Sequence, residues 1–202
     1  VCPSINRASR ILPGGRFQMG WPDADGFFFD NECPPYRTYV PAFEIDAQPV
    51  TNGQYLEFIE DRGYDHPQWW SPAGMEWLMM QERSAPLGWQ RDPTTRSWQA
   101  LRYGQARTIN RDEPVRHVSL YEAQAWCRWA GRRLPTEDEW EMAAVQGRAG
   151  FHWGQVWEWT SSPFEPYPDF VPGMPRGRVA SLSAPHFQTM QAVRGAAAHT
   201  PQ

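Results

Sequence analysis

The strongest constraint on the fold of this 202-residue chain is a proline-rich aromatic run at residues 163–170 (PFEPYPDF). Pro163, Pro166 and Pro168 each lack a backbone N–H group and have a fixed φ angle, so no α-helix passes through this run. We therefore predict an ordered loop with exposed aromatic rings, which are those of Phe164, Tyr167 and Phe170.

The residues just before this run alternate between tryptophan and a carboxylate: Trp157, Glu158 and Trp159. In a strand, the two indoles would lie on one face and the carboxylate on the other. We predict that the tryptophans fill a core. Glu158 then either faces a polar site or a cation, or serves as a hydrogen-bonded structural anchor.

Composition narrows the class of protein. Twelve tryptophans and 20 prolines, with few long periodic runs, favour a loop-rich fold held by large side chains. No internal repeat or linker divides the chain, so we predict one domain over residues 1–202. A net charge of −4 gives no reason to expect nucleic acid or an anionic membrane as a partner, and no apolar run approaches the length of a membrane span. Three cysteines without a CxxC motif argue against a disulfide framework and favour a reducing cytoplasm.

Local signals predict several short elements. Residues 11–20 resemble strand, turn, strand, residues 39–50 a strand pair, and residues 192–195 a strand. Helices are predicted after a cap at Thr51 or Asn52 and after two capping boxes, 119–122 and 136–139. Residues 64–105 show no sustained period, and both a functional and a structural role stay open for this segment.

Catalytic motifs are scarce. The five histidines include no pair at a spacing of three or four residues, and the chain has neither a GxSxG motif nor a Walker loop. Cys127 has the spacing of a packed helix residue rather than that of an activated nucleophile. Taken alone, the residues favour a binding or substrate-shaping domain over a complete enzyme.

Five motifs, in order along nearly the whole chain, resemble the formylglycine-generating-enzyme-like domain. They are residues 12–20 (LPGGRFQMG), 49–52 (PVTN), 133–141 (RLPTEDEWE), 156–160 (VWEWT) and 193–195 (VRG). The resemblance implies an α+β, C-type-lectin-like fold with short antiparallel strands, two to three helices and much ordered loop.

A narrower resemblance points to the ergothioneine sulfoxide synthases and the related selenoneine synthases. It is carried by residues 28–32, 52–64, 150–154 and 163–170, together with Trp70 and Trp77. It implies a nonheme Fe(II) centre that uses O2 to join sulfur or selenium to the imidazole C2 of hercynine (trimethylhistidine), with a thiol or a selenosugar as donor. This is an oxidoreductase step of ergothioneine or selenoneine biosynthesis.

The chain also departs from that pattern. In the synthases three iron-binding histidines belong to an N-terminal helical domain, which we expect upstream of Val1, so no metal ligand is predicted within residues 1–202. Arg194 begins an RGAA sequence where relatives have RGGS, and no cysteine follows Cys127, which argues against formylglycine generation. Phe151 replaces the asparagine of the family's calcium site, which argues against calcium beside Glu158.

Two hypotheses follow. In the first, the chain is the C-terminal domain of an oxygenase acting on hercynine, with Phe164, Tyr167 and Phe170 as substrate-binding residues and the catalytic residues unassigned. Structural support would come from Trp157, Glu158, Trp159 and Arg194. In the second, the chain is a noncatalytic lectin-like module that binds a small molecule or a protein.

Overall fold

The computed structural model describes residues 8–20, 30–147, 150–171 and 183–196. The sequence also predicts that Phe27, Phe28 and Phe29 are buried within a solvated loop, but these residues, like the C-terminal residues 197–202, lie outside the described ranges. The described residues form two compact units, one from residues 49–134 and the other from residues 8–48 and 135–196. Helices and short antiparallel strands together give an α+β fold. The prediction of a single domain over residues 1–202 stays a prediction.

The chain begins in the second unit with four strands: β1 (Ser9–Leu12), β2 (Gly15–Met19), β3 (Tyr36–Val40) and β4 (Phe43–Asp46). The predicted strand, turn, strand over residues 11–20 is confirmed as β1 and β2, but the predicted strand pair over residues 39–50 is wrong, because β3 pairs with β2 and β4 pairs with β1. The two short links between consecutive strands touch each other: a Cβ added to Gly14 would lie 2.5 Å from the backbone nitrogen of Ala42. Strand β2 therefore pairs with β3, the next strand along the chain, whereas β1 pairs with the more distant β4.

The first unit opens with helix α1 (Asn52–Glu60), and of the two predicted caps, Thr51 or Asn52, the structure shows Thr51. The Thr51 hydroxyl accepts a hydrogen bond from the Gln54 backbone at 3.3 Å, and the Gln54 side chain accepts one from the Thr51 backbone at 2.9 Å. This reciprocal pair satisfies donors that the first turn of a helix leaves free.

Residues 64–105 are more regular than expected. They contain helix α2 (Pro72–Gln81) and two of the three strands of an antiparallel sheet, β5 (Trp89–Arg91), β6 (Trp98–Arg102) and β7 (Gln105–Thr108). Ser71 caps α2 and Pro72 begins it, which is a favourable helix start. The apolar side chains of α2 are spread around the whole helix. Its sequence therefore lacks the amphipathic period by which a helix is recognised. With α2, the described ranges contain four α-helices instead of the two or three helices predicted.

Helix α3 (Leu120–Trp129) begins at the predicted capping box of Ser119 and Glu122. Glu122 is fully buried, and its other carboxylate oxygen accepts a hydrogen bond from the Tyr64 hydroxyl at 2.6 Å. The Tyr55 hydroxyl lies 3.1 Å from that of Tyr64 and completes the chain of hydrogen bonds. Large rings surround this polar core: Phe58, Trp70, Trp126 and Trp129.

The chain returns to the second unit with helix α4 (Glu137–Gln146), strand β8 (Trp157–Pro163) and strand β9 (Gln191–Gly195). The predicted capping box at Thr136 and the predicted C-terminal strand are confirmed. The core of this unit includes Phe17, Met19, Phe43, Trp140, Met142, Phe151 and Tyr167. Every helix in the described ranges is too short or too polar to cross a lipid bilayer.

Candidate functional site

Strands β8 and β9 form a two-stranded antiparallel ribbon that carries most of the predicted site residues. Glu158 lies opposite Arg194, and Trp159 lies opposite Val193. Residues opposite each other point to the same face, so the charged pair shares one face of the ribbon. That face is the buried one, whereas Trp157 on the other face is 44% exposed and Val193 is 40% exposed.

The predicted orientation of this ribbon is therefore reversed at Trp157, which lies at the surface instead of in the core. Trp159 is partly buried. The reason is that α4 presents carboxyl groups to the inner face, where Arg194 contacts them. A buried guanidinium needs such partners, so Arg194 takes the inner face together with Glu158 opposite it, and the indole of Trp157 takes the outer face.

The carboxyl group of Glu158 is buried beside the indole of Trp140. Burial raises the pKa of Glu158 to about 7, against the smaller lowering effect of the Trp140 N–H. Within the described ranges, neither Glu158 Oε1 nor Trp140 Nε1 has a partner at hydrogen-bond geometry. At neutral pH this carboxyl group therefore keeps its proton in a large fraction of the molecules.

Arg194 is the centre of a buried polar network, which we call the Arg194 network. Its Nη1 donates to Glu32 Oε1 at 2.9 Å, and its Nη2 lies 2.5 Å from Glu141 Oε2 and 3.0 Å from Glu137 Oε1. Nη2 also donates to the hydroxyl oxygen of Tyr167. One guanidinium thus links strand β9, helix α4, the short helix at residues 30–32 and the loop at 163–170.

The Arg194 network contains more carboxyl groups than cations. Burial raises the pKa of Glu137 and of Glu141, and the nearby guanidinium opposes this rise in both. Burial lowers the pKa of Arg194, but Tyr167 and the carboxyl groups outweigh it and leave that pKa above its ordinary value. The guanidinium therefore stays charged. When the network takes up a proton, a carboxyl group of the network accepts it.

Tyr167 lies in the core of the second unit. Only 5% of its surface is exposed, so the predicted exposed ring is wrong for this residue. Its ring packs edge-on against Tyr36, with ring centres 4.8 Å apart, and its hydroxyl donates to Glu137 Oε1 at 3.4 Å. The hydroxyl finds its acceptor and donor in the Arg194 network, which turns the ring inward.

Phe164 and Phe170 remain half-buried at the surface, and Phe187 joins them. The ring of Phe187 lies 5.0 Å from that of Phe164 and 5.2 Å from that of Phe170, measured between ring centres. We call these three residues the aromatic cluster. Sequence analysis did not assign Phe187 to the site, because it is 17 residues from Phe170 and no local period connects them.

The described residues do not form a metal site. No three His, Cys, Asp or Glu side chains in residues 8–20, 30–147, 150–171 and 183–196 are arranged to hold a metal ion. The three carboxyl groups of the Arg194 network already surround a guanidinium. These residues therefore do not fit an iron centre.

Known proteins share much of this sequence. A sulfatase-modifying factor enzyme 1-like domain matches residues 5–155. The hercynine oxygenase of Mycolicibacterium smegmatis is 38% identical over 84% of this chain and 49% of its own length. The inactive C-alpha-formylglycine-generating enzyme 2 of Mus musculus is 39% identical over 73% of this chain and 49% of its own. The formylglycine-generating enzyme of Streptomyces coelicolor is 34% identical over 75% of this chain and 52% of its own length.

The chain spans about half the length of each of these relatives. The domain match covers well over half of the chain and ends at residue 155, just before strand β8. The predicted resemblance is confirmed. The chain belongs to the family of sulfatase-modifying factor enzyme 1-like domains.

Proposed function

We propose that this chain is the substrate-shaping, C-terminal domain of an O2-dependent, nonheme Fe(II) synthase that joins sulfur or selenium to the imidazole C2 of hercynine. The observation that carries the proposal is the 38% identity, over 84% of the chain, to a protein named hercynine oxygenase. The short antiparallel strands and long loops are consistent with the C-type-lectin-like architecture that we propose for the family.

The aromatic cluster is the part of the chain best suited to such a substrate. Hercynine carries a trimethylammonium group, and aromatic faces attract such cations by about 0.5–2 kcal/mol each. The loop also carries two exposed carboxylates, Glu165 and Asp169. Their charge favours a cation near the rings. We propose that Phe164 and Phe170 contact the trimethylammonium group.

The ribbon would support this loop from behind. In our proposal, Trp157 and Trp159 pack from its outer face, and Arg194 and Glu158 hold its inner face. Glu158 then serves as an anchor, because its carboxyl group is enclosed beside Trp140 and not turned to solvent.

The iron ligands are proposed to belong to a helical domain outside the described residues. This follows from the lack of a ligand group in the described ranges and from the length of the relatives, about twice that of this chain. The chain itself would bind hercynine, orient its imidazole ring and exclude water from the pocket.

The full-length protein tests this function. Purified protein is loaded anaerobically with Fe(II) and given hercynine, a thiol donor and O2, and then, separately, a selenosugar donor. We expect one iron per protein, O2 uptake that depends on hercynine, and a product mass that identifies the C–S or C–Se bond. Iron-loaded protein that consumes no O2 when hercynine is added would contradict the proposal.

A second candidate is a noncatalytic binding module. It is favoured by the similarity to an inactive C-alpha-formylglycine-generating enzyme 2 and by the missing metal ligands in the described part of the chain. Calorimetric titration of hercynine into the full-length protein, beside the turnover assay, separates the two. Binding without iron and without turnover would favour the module.

A further inference from the structure

We propose that Tyr167 is a positioning residue that fixes the aromatic cluster from the Arg194 network, and that Phe187 is a third ring in contact with the substrate. This inference rests on the function proposed above, since it names further residues of the same site. It also corrects the expectation that Tyr167 contacts the substrate directly.

Tyr167 is closed to a ligand. Its side chain is 5% exposed, and its hydroxyl already accepts from Arg194 and donates to Glu137. A substrate would have to break this buried network to reach the hydroxyl. The tyrosine therefore acts through its neighbours.

Those neighbours are the two rings of the same loop. Phe164 lies three residues before Tyr167 and Phe170 three residues after it. The Phe170 backbone N–H donates to the Tyr167 carbonyl at 3.0 Å. The anchored tyrosine thus fixes the turn at residues 167–170, and this turn determines the position of the Phe170 ring.

Phe187 is fixed to the first half of the loop by backbone contacts. The Phe164 N–H donates to the Met190 carbonyl at 2.9 Å, and the Gln188 N–H donates to the Phe164 carbonyl at 2.8 Å. These bonds bring the ring of Phe187 against both other rings, nearly parallel to neither, with interplanar angles of 41° and 88°. Because Phe187 packs directly against both rings, its free face would extend the aromatic surface on which a trimethylammonium group can lie.

The test uses Tyr167→Phe in the full-length protein, which removes only the hydroxyl. Losing the two hydrogen bonds of this hydroxyl, to Arg194 and to Glu137, should loosen the binding loop and raise the hercynine KM about tenfold. We expect kcat and the KM of the sulfur or selenium donor to change less than about twofold, since these do not depend on the rings. Amide hydrogen exchange at residues 163–171 should become faster. Tyr103→Phe, at a fully exposed hairpin tip, is the matched control and should change nothing.

Phe187→Leu tests the third ring. Leucine keeps an apolar side chain but removes the aromatic face, so the hercynine KM should rise while exchange at residues 163–171 stays slow. An unchanged KM in this variant would overturn the role of Phe187. For Tyr167→Phe, an unchanged hercynine KM, or a KM that rises without faster exchange, would overturn the positioning role.

Failure of the proposed function looks different. If the wild-type protein neither binds nor converts hercynine, that function is wrong. Faster exchange at residues 163–171 in Tyr167→Phe would still support the positioning of the aromatic cluster, and unchanged exchange would overturn it. The exchange measurement needs no substrate, so the two results are independent.

Discussion

Replacing Glu158 with glutamine should stabilise the protein at pH 8 and leave its stability almost unchanged at pH 4. Burial raises the pKa of Glu158 from 4.5 to about 7, despite the opposing effect of the Trp140 N–H. Between these values the unfolded chain loses this proton while the folded chain keeps it, so the free energy of unfolding falls as the pH rises. The loss is about 1.4 kcal/mol per pH unit and reaches roughly 3 kcal/mol above pH 7.

Glutamine removes this loss because it cannot ionise and has nearly the same shape. Urea unfolding followed by tryptophan fluorescence at pH 4 and pH 8 gives the free energy of unfolding of both proteins. The variant should exceed the wild type by up to about 3 kcal/mol at pH 8, and by less than about 0.5 kcal/mol at pH 4. Glu165→Gln, at an exposed position, is the control. A variant that is less stable than the wild type at pH 8 would show that the folded state holds Glu158 ionised and paired.

Three other substitutions test contacts inside each unit, and a fourth, Gly15→Ala, serves as a control. Arg194→Met leaves three carboxyl groups without their cation and should lower the free energy of unfolding by about 3–5 kcal/mol. A loss below about 1 kcal/mol would show that these carboxyl groups are already neutral. Gly63→Ala places a Cβ 2.0 Å from the Phe58 ring and should lower the free energy of unfolding by about 1–3 kcal/mol. Its control is Gly15→Ala, whose Cβ meets nothing within 4 Å. This control should change the free energy of unfolding by less than about 0.5 kcal/mol in the same urea assay. Tyr64→Phe removes the donor to the buried carboxylate of the α3 capping box and should cost about 1–3 kcal/mol, and a neutral result would show that another donor replaces it.

The elements that sequence analysis predicted well are those with local signals. Each capping box joins residues three positions apart, so the chain carries the whole signal within four letters, as at Thr51, Ser119 and Thr136. Strand β9 was also found, since its short apolar stretch is bounded by Gly195. Helix α2 was missed because its apolar residues have no preferred side.

Strand pairing and the direction of side chains were harder to predict, because both depend on distant residues. Neither β1 with β2 nor β3 with β4 forms a pair, although only two residues separate the strands in each case; β1 pairs instead with β4, and β2 with β3. The outward position of Trp157 depends on α4, and the inward position of Tyr167 depends on Arg194, 27 residues away. No pattern within one element contains this information.

The Arg194 network explains why the proline-rich loop at residues 163–170 can have a defined position. Arg194 reaches Glu32, 162 residues earlier, together with helix α4 and Tyr167. A planar guanidinium fixes the direction of each of these bonds, whereas apolar packing alone tolerates sliding and exchange of similar side chains. Lysine has three donors around one nitrogen and cannot reproduce this fork. The identity of the side chain at position 194 therefore matters more for the position of the aromatic cluster than that of any single ring in it.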